Sequence, residues 1–402
     1  MTTVSASACK RAVCGLDLGP GRALACGGQE AVIPIIYATG DVAPDRPEAD
    51  QCFDGLRDRL GAADLVIGQL ETSFAARGTR LPQARHAVLA PPEAAGAVGR
   101  AGFDVISCAG NHCLDWGREA LLDTMDNLRA AGVEVVGAGK DIADARRPVL
   151  RRLGDGTTVA VLAYSSILPM AYWADERRPG CVPMRAHTLY EPIEPDQPGT
   201  PPRTRSFPHR GDLKAMQEDI EAARAIADVV LVSHHWGIHF VRAVIADYQR
   251  EVARAAVDAG ADAILGHHAH ILKGAEVIGG KPVFYSLCNF ATDLRMDSAH
   301  AASKSFQEIR VLAEEWEPDF DSMYNFPPAA RMSIMVRLDV GDGAVRGAGF
   351  VPLWIDRDAV PRAIAPDDPR FGQVIDYMRA VTAEAGLNAR YTPAGDHVRV
   401  AA

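Results

Sequence analysis

The strongest constraint on this chain is a rhythm that starts near residue 33, where short apolar runs alternate with segments of helical period. IPIIYATGD (33–41), DLVIGQLE (64–71), FDVISCAGNH (103–112), VEVVGAG (133–139) and TVAVLAYSS (158–166) each read as a strand. DVVLVSHHWG (228–237), DAILGHHAHI (262–271) and PVFYSLCNF (282–290) continue the series. Such continuous apolar runs suit strands covered on both faces, as in parallel sheets. FDGLRDRLGAA (53–63), PPEAAGAVGRAG (91–102), residues 115–131, 212–226 and 247–259 read as helices. In the third of these, Leu121, Leu122, Met125 and Leu128 fall at helical spacing. Alternation of this kind predicts an α/β fold.

The rhythm breaks twice. Residues 170–210 are dense in Pro and charge and read as a long surface excursion from a main domain over 33–360. A less regular stretch follows residue 290, before late β elements at 331–340 and 343–355. Residues 361–402 read as a C-terminal helix and loose tail, and residues 1–32 as a partly flexible N-terminal tail. There is no internal repeat.

Composition excludes some classes of function. The formal charge of −10 offers no overall electrostatic footprint for nucleic acid. No run approaches the roughly 18–20 apolar residues of a spanning helix, and the N-terminus lacks a convincing secretory signal, so no membrane anchor is expected. The eight cysteines form no CxxC pair, which favours reduced thiols and a cytoplasmic protein. The oligomeric state is not legible.

The polar residues gather at strand ends, where open α/β sheets bind ligands. Five strands end in metal-ligand types: Asp41, Glu71, Asn111-His112, His234-His235, and His267, His268 and His270. Each has a structural alternative. Asp41 follows Gly40 as a turn residue or helix cap would, Asn111 fits a left-handed turn, and His112 fits a satisfied core position. Glu71 is harder to dismiss, because a buried, unpaired carboxylate is costly. His234 and His235 point to opposite faces of a strand, and His235 is the one assigned to the site. His268 and His270 share strand parity. Mixed carboxylate, amide and imidazole donors suit Mn²⁺, Fe or Zn²⁺. A bound divalent ion makes metal-assisted hydrolysis the natural chemistry.

Other features point to packing. Cys108, Cys113 and Cys288 flank the site but read as small buried hydrophobes. Gly137 and Gly139 lack a full phosphate-loop pattern. Arg177, Arg178, Arg185, Arg203, Arg205 and Arg210, within the excursion, suit either an anionic ligand or a solvated loop.

The motifs TGDVAP, DLVIGQLE, AGNHCLDWG, VVGAG with ARRPVL behind it, HHWG, GADAILGHHAHIL and FYSLCNF occur in order over residues 33–292. Together they resemble the CapA-like (poly-γ-glutamate synthesis) proteins of the calcineurin-like metallophosphoesterase superfamily. That resemblance implies a four-layer αββα sandwich with metals at one sheet edge. It also implies Asp41, Glu71, Asn111, His235, His268 and His270 as metal ligands. His112, held by Asp115, would meet the substrate or leaving group as a catalytic acid. His267, Trp236 and Asn289 are further candidates for substrate contact. The chain departs from the superfamily's Asp-x-His opening, having Asp41-Val42-Ala43, which leaves a one-metal site or a remodelled pair. Gln69 and Cys288 stand where Asn and Gly are usual. The implied function is a metal-dependent hydrolase acting on a phosphoester, amide or related carbonyl of a small molecule or peptide. The alternatives are metal-assisted epimerisation α to a carbonyl and a non-catalytic accessory role in γ-glutamyl polymer synthesis.

Overall fold

The computed structural model describes residues 33–313 and 315–402, so the N-terminal tail expected over 1–32 lies outside the described residues. The fold is mixed α/β and is organised by two large sheets. In the first, Glu134–Val136, Val105–Ser107, Leu65–Leu70 and Ile35–Ala43 lie side by side in parallel. Antiparallel strands Met332–Gly341, Ala344–Ile355, His397–Ala401 and Arg390–Ala394 extend it on the far side of Ile35–Ala43. The second sheet has six strands, in the order Ala275–Ile278, Lys281–Phe284, Ala263–His267, Val229–His235, Thr158–Ser165 and Val149–Arg152. Its inner four strands are parallel.

Strand periodicity explains the packing. Along Thr158–Ser165, Val159, Val161 and Ala163 share a core cluster with Ile36, Val66 and Ile106 of the other sheet. The alternate residues Ala160, Leu162 and Tyr164 join Met216 and Ile220 of helix Arg210–Arg224 and Val252 of helix Asp247–Asp258. Successive side chains of a strand face opposite ways, so one apolar strand feeds both cores. Helix Gly117–Ala130 buries Leu121, Met125 and Leu128 in the first of them.

Three expectations need correction. The run 282–290 is not one strand. Lys281–Phe284 belongs to the six-stranded sheet, whereas Asn289–Thr292 pairs in parallel with Ile35–Ala43. The chain crosses between sheets through Cys288, whose φ is +66°. Two glycines permit that crossing. A Cβ on Gly40 would lie 2.2 Å from the Cys288 carbonyl oxygen, and one on Gly266 would lie 2.2 Å from that of Tyr285. The close approach at Gly40 lets the Asp41 N–H donate to the Cys288 carbonyl at 3.0 Å.

The Pro-rich excursion contains an ordered β-hairpin, Ala186–Pro192 with Pro202–Pro208. The sequence misled because Pro is tolerated on a ribbon that joins no larger sheet. The Tyr248 N–H donates to Ser206 Oγ at 3.2 Å, tying the hairpin to helix Asp247–Asp258. Five of the six arginines named in the excursion find carboxylates within the chain: Arg178 pairs with Asp175, Arg185 with Asp212, Arg203 and Arg205 with Glu191, and Arg210 with Glu251.

The loose C-terminal tail is instead the hairpin Arg390–Ala394 and His397–Ala401, which completes the edge of the larger sheet. Helix Pro369–Glu384 precedes it and buries Phe371, Val374, Met378 and Val381 at helical spacing. Among the described residues no helix is long and apolar enough to cross a membrane.

Candidate metal centre

Both sheets deliver the carboxyl ends of their parallel strands to one place, and the polar strand endings meet there. Asp41 is wholly buried near the end of Ile35–Ala43, and Glu71 lies just past Leu65–Leu70. His235 ends Val229–His235 in the other sheet. One ligand atom from each of Asp41, Glu71 and His235 lies within 4.8 Å of the others.

Asp41 is held from the second sheet. Its Oδ1 is 3.1 Å from His267 Nδ1, and its Oδ2 accepts from the His268 backbone N–H at 3.4 Å. His270 Nδ1 also approaches Oδ2, at 3.4 Å. Glu71 has no such support. Its Oε1 lies 3.2 Å from His235 Nδ1, and its Oε2 lies 3.7 Å from His112 Nε2. Neither contact has hydrogen-bond geometry, and both Glu71 oxygens are buried without a partner among the described residues. Burial, then the nearby Asp41 and Asp115 carboxylates, hold the Glu71 pKa well above its ordinary value. Three neighbouring buried carboxyl groups can all be ionised only if a cation sits among them; otherwise one of them holds a proton.

The histidines carry the complementary property. Burial pushes the His235 and His268 pKa values well below 6.5, with neighbouring imidazoles adding to the shift. Neutral imidazole is the form that binds metal. His235 Nε2 is 2.6 Å from Asn111 Oδ1, which leaves Nδ1 facing Glu71. His268 Nδ1 is buried and unpartnered. His270 Nδ1 contacts Asn289 Oδ1 at 2.7 Å. An imidazole fixed through one nitrogen presents the other in a set direction. His268 and His270 both have positive φ, +88° and +53°. Such backbone costs on the order of 1–3 kcal/mol per residue and collects at ligand clamps.

His112 faces the mouth of the site with its side chain 19% exposed, enough to meet a bound molecule. Its Nδ1 is 2.6 Å from Asp115 Oδ2, and Asp115 Oδ1 accepts from the Tyr172 hydroxyl at 2.8 Å. The sequence did not single out Tyr172, which lies 57 residues downstream of Asp115.

Several sequence candidates sit elsewhere than expected. His268 and His270 flank the three-residue group without entering it: the His268 ring lies 4.9 Å from that of His235. Trp236 is a core residue, fully buried and stacked between His234 and Tyr285 at 4.5 and 5.6 Å. His267 and Asn289 are buried behind Asp41 and His270, so they position those residues and do not line the cavity. His239 was missed. Its ring centroid lies 3.8 Å from that of His268 with the planes tilted by 34°, and its buried Nε2 has no partner among the described residues. The signal was present in HHWGIHF, where a third histidine follows His235 by four residues. Cys108, Cys113 and Cys288 are buried, and burial raises each thiol pKa, that of Cys108 to about 12, so none is a ready nucleophile.

Known proteins are similar in sequence to this chain. The chain is 31% identical over 191 residues to the PGA biosynthesis protein CapA of Bacillus subtilis (strain 168), covering 48% of this chain and 43% of that protein. It is 31% identical over 204 residues to the capsule biosynthesis protein CapA of Bacillus anthracis, covering 51% and 44%. A Mycobacterium tuberculosis protein named "Probable polyglutamine synthesis accessory protein" is 30% identical over 254 residues, covering 62% and 61%. The matches thus span less than half the length of the two CapA proteins. Residues 35–294 match the family described as "Bacterial capsule synthesis protein PGA_cap", a stretch that contains every strand ending described above, and the chain belongs to that family.

Proposed function

We propose that this chain is a divalent-metal-dependent hydrolase whose centre is held by Asp41, Glu71, Asn111 and His235, with His268 and His270 completing the donor set. The observation that carries this reading is the convergence of buried, unpartnered ligand atoms: both Glu71 oxygens, His235 Nδ1 and His268 Nδ1. Each such atom costs roughly 1–3 kcal/mol when left unmade, so four in one place ask for a common partner. Oxygen and imidazole donors fit Mn²⁺, with Fe or Zn²⁺ also suited, as one or two ions. A divalent ion held there would polarise a substrate oxygen and lower the pKa of water toward about 7.

The chain's own residues supply the rest. His267 and the His268 N–H orient Asp41, and Asn289 orients His270. Asp115 holds the His112 ring through Nδ1, which leaves Nε2 free to pass a proton to a leaving group. Tyr172 holds Asp115 in turn. The substrate class is a phosphoester, amide or related carbonyl of a small molecule or peptide. The family is related to metallophosphoesterases. We take the two sheets as the inner layers of a four-layer αββα sandwich, a reading supported by side chains of both sheets sharing one core cluster.

A second reading, an accessory protein without chemistry of its own, is favoured by the name of the mycobacterial relative. One experiment separates the two. Purified protein is analysed for metal, then supplied with Mn²⁺ and a panel of phosphoesters and small amides in ¹⁸O-labelled water. A hydrolase incorporates solvent oxygen into its product and stops on chelation. An accessory protein binds ligand without turnover. Full turnover by rigorously metal-free protein would sink the metal reading.

A further inference from the structure

Beside the metal centre lies a cavity of about 210 Å³ whose walls differ from the centre itself. Glu71, Asn111, His112 and His270 of the centre are among its lining residues. Phe240, Met296, Phe306, Ile309, Trp316 and Phe326 give it an apolar wall, and His86, Asp293 and His300 add further polar lining. Three of the rings pack on one another. Phe240 lies 4.9 Å from Trp316, and Phe306 lies 5.0 Å from Trp316. Phe326 and Phe240 reach the His270 ring at 5.1 and 5.9 Å. Most of the wall comes from residues 296–326, which lie beyond the segment matching the family. Arg85 is the one Lys or Arg among the described lining residues, and it is exposed.

We infer that this site takes a compact anionic substrate carrying an aromatic or branched apolar group beside its reacting bond, and not a segment of γ-linked polyglutamate. The inference rests on the hydrolase reading above and names the class of molecule that centre would serve. Three features argue for it. The cavity is smaller than the roughly 300–1,000 Å³ of sites for drug-sized ligands, so it holds a small molecule or a terminal group. A γ-linked glutamate chain repeats a carboxylate at every residue, and placing those against Phe306 and Trp316 removes their water without a counter-charge. A planar or branched apolar group gains there what the carboxylates lose, while Arg85 is suited to a single anionic group.

The test compares benzylphosphonate, methylphosphonate and γ-glutamylglutamate by calorimetry on the whole protein, with and without Mn²⁺, after measuring Mn²⁺ binding itself. The benzyl compound should bind at least about tenfold more tightly than the methyl compound, and more tightly than the dipeptide. That ratio should fall toward one in Phe326→Ala and in Ile309→Ser, two partly buried wall positions; the second guards against misfolding of the first. Equal affinities, tightest binding of the dipeptide, no detectable benzylphosphonate binding in either condition, or an unchanged ratio in both variants would each overturn the inference. A protein that prefers benzylphosphonate but binds no Mn²⁺ would refute the hydrolase reading and leave the apolar subsite standing. Mn²⁺ binding with a flat ratio would do the reverse.

Discussion

Replacing Glu71 by Gln tests whether the buried carboxylate exists for a cation or for the fold. The two side chains have nearly the same shape, and both Glu71 oxygens lack a hydrogen-bond partner. A structural carboxylate would lose its interactions on substitution, whereas this one has few to lose. Without metal, Glu71→Gln should therefore be at least as stable as the native chain, since an amide never has to carry charge beside Asp41 and Asp115. With metal the order should reverse. An ion present at 100 times its Kd stabilises the native protein by about 2.7 kcal/mol. Taking about 2.1 cal/mol/K of unfolding entropy per residue, the 402-residue chain changes stability by roughly 0.8 kcal/mol per degree near Tm. The native protein should then gain about 3 °C on adding Mn²⁺, and the variant almost nothing. Scanning calorimetry on chelator-treated and Mn²⁺-loaded samples reads both effects. An equal Mn²⁺ shift in both proteins would refute the reasoning, as would a metal-free variant weakened by more than about 1 kcal/mol, a typical net hydrogen bond.

His112→Ala should leave metal content near native and lower kcat by roughly 10²–10⁴, the usual worth of a general acid; loss of metal along with activity would make it a ligand instead. Tyr172→Phe removes the donor to Asp115 Oδ1, a bond to a charged acceptor worth about 1.5–3 kcal/mol, and should lower kcat by about tenfold or more with KM and Mn²⁺ content unchanged. Unaltered turnover would reduce Tyr172 to packing. Gly40→Ala drives a Cβ to 2.2 Å from the Cys288 carbonyl oxygen, so the strand must move. It should cost about 1–3 kcal/mol in denaturant titration and weaken Mn²⁺ binding, because Asp41 is the next residue.

Strand identity and the locations of most site residues were legible because they depend on local order. The apolar runs at 35–43, 65–70, 229–235 and 263–267 form strands in the structure, and Asp41, Glu71 and His235 lie within two residues of three strand ends. The break of 282–290 was not legible. Both halves are apolar, and only the approach of the Gly40 and Gly266 backbones shows that they serve different sheets. The hairpin at 186–208 was hidden by its prolines, and its pairing with helix Asp247–Asp258 is a contact between residues about forty positions apart.

For the site, the sequence by itself determined which residue types end the parallel strands, because a strand's period and length fix where its last side chains stand. Tertiary structure decided which of them share a volume. It set Trp236 into the core, turned His267 and Asn289 into supports, and brought His239 and Tyr172 to the site from turns and loops. It also decided that Glu71 has no hydrogen-bond partner among the described residues, a property of the space between two sheets. Periodicity along one strand carries no information about the distance to a strand of another sheet. That distance depends on side-chain volumes and backbone approaches contributed by distant segments, so the centre and its apolar wall appear only once both sheets have packed.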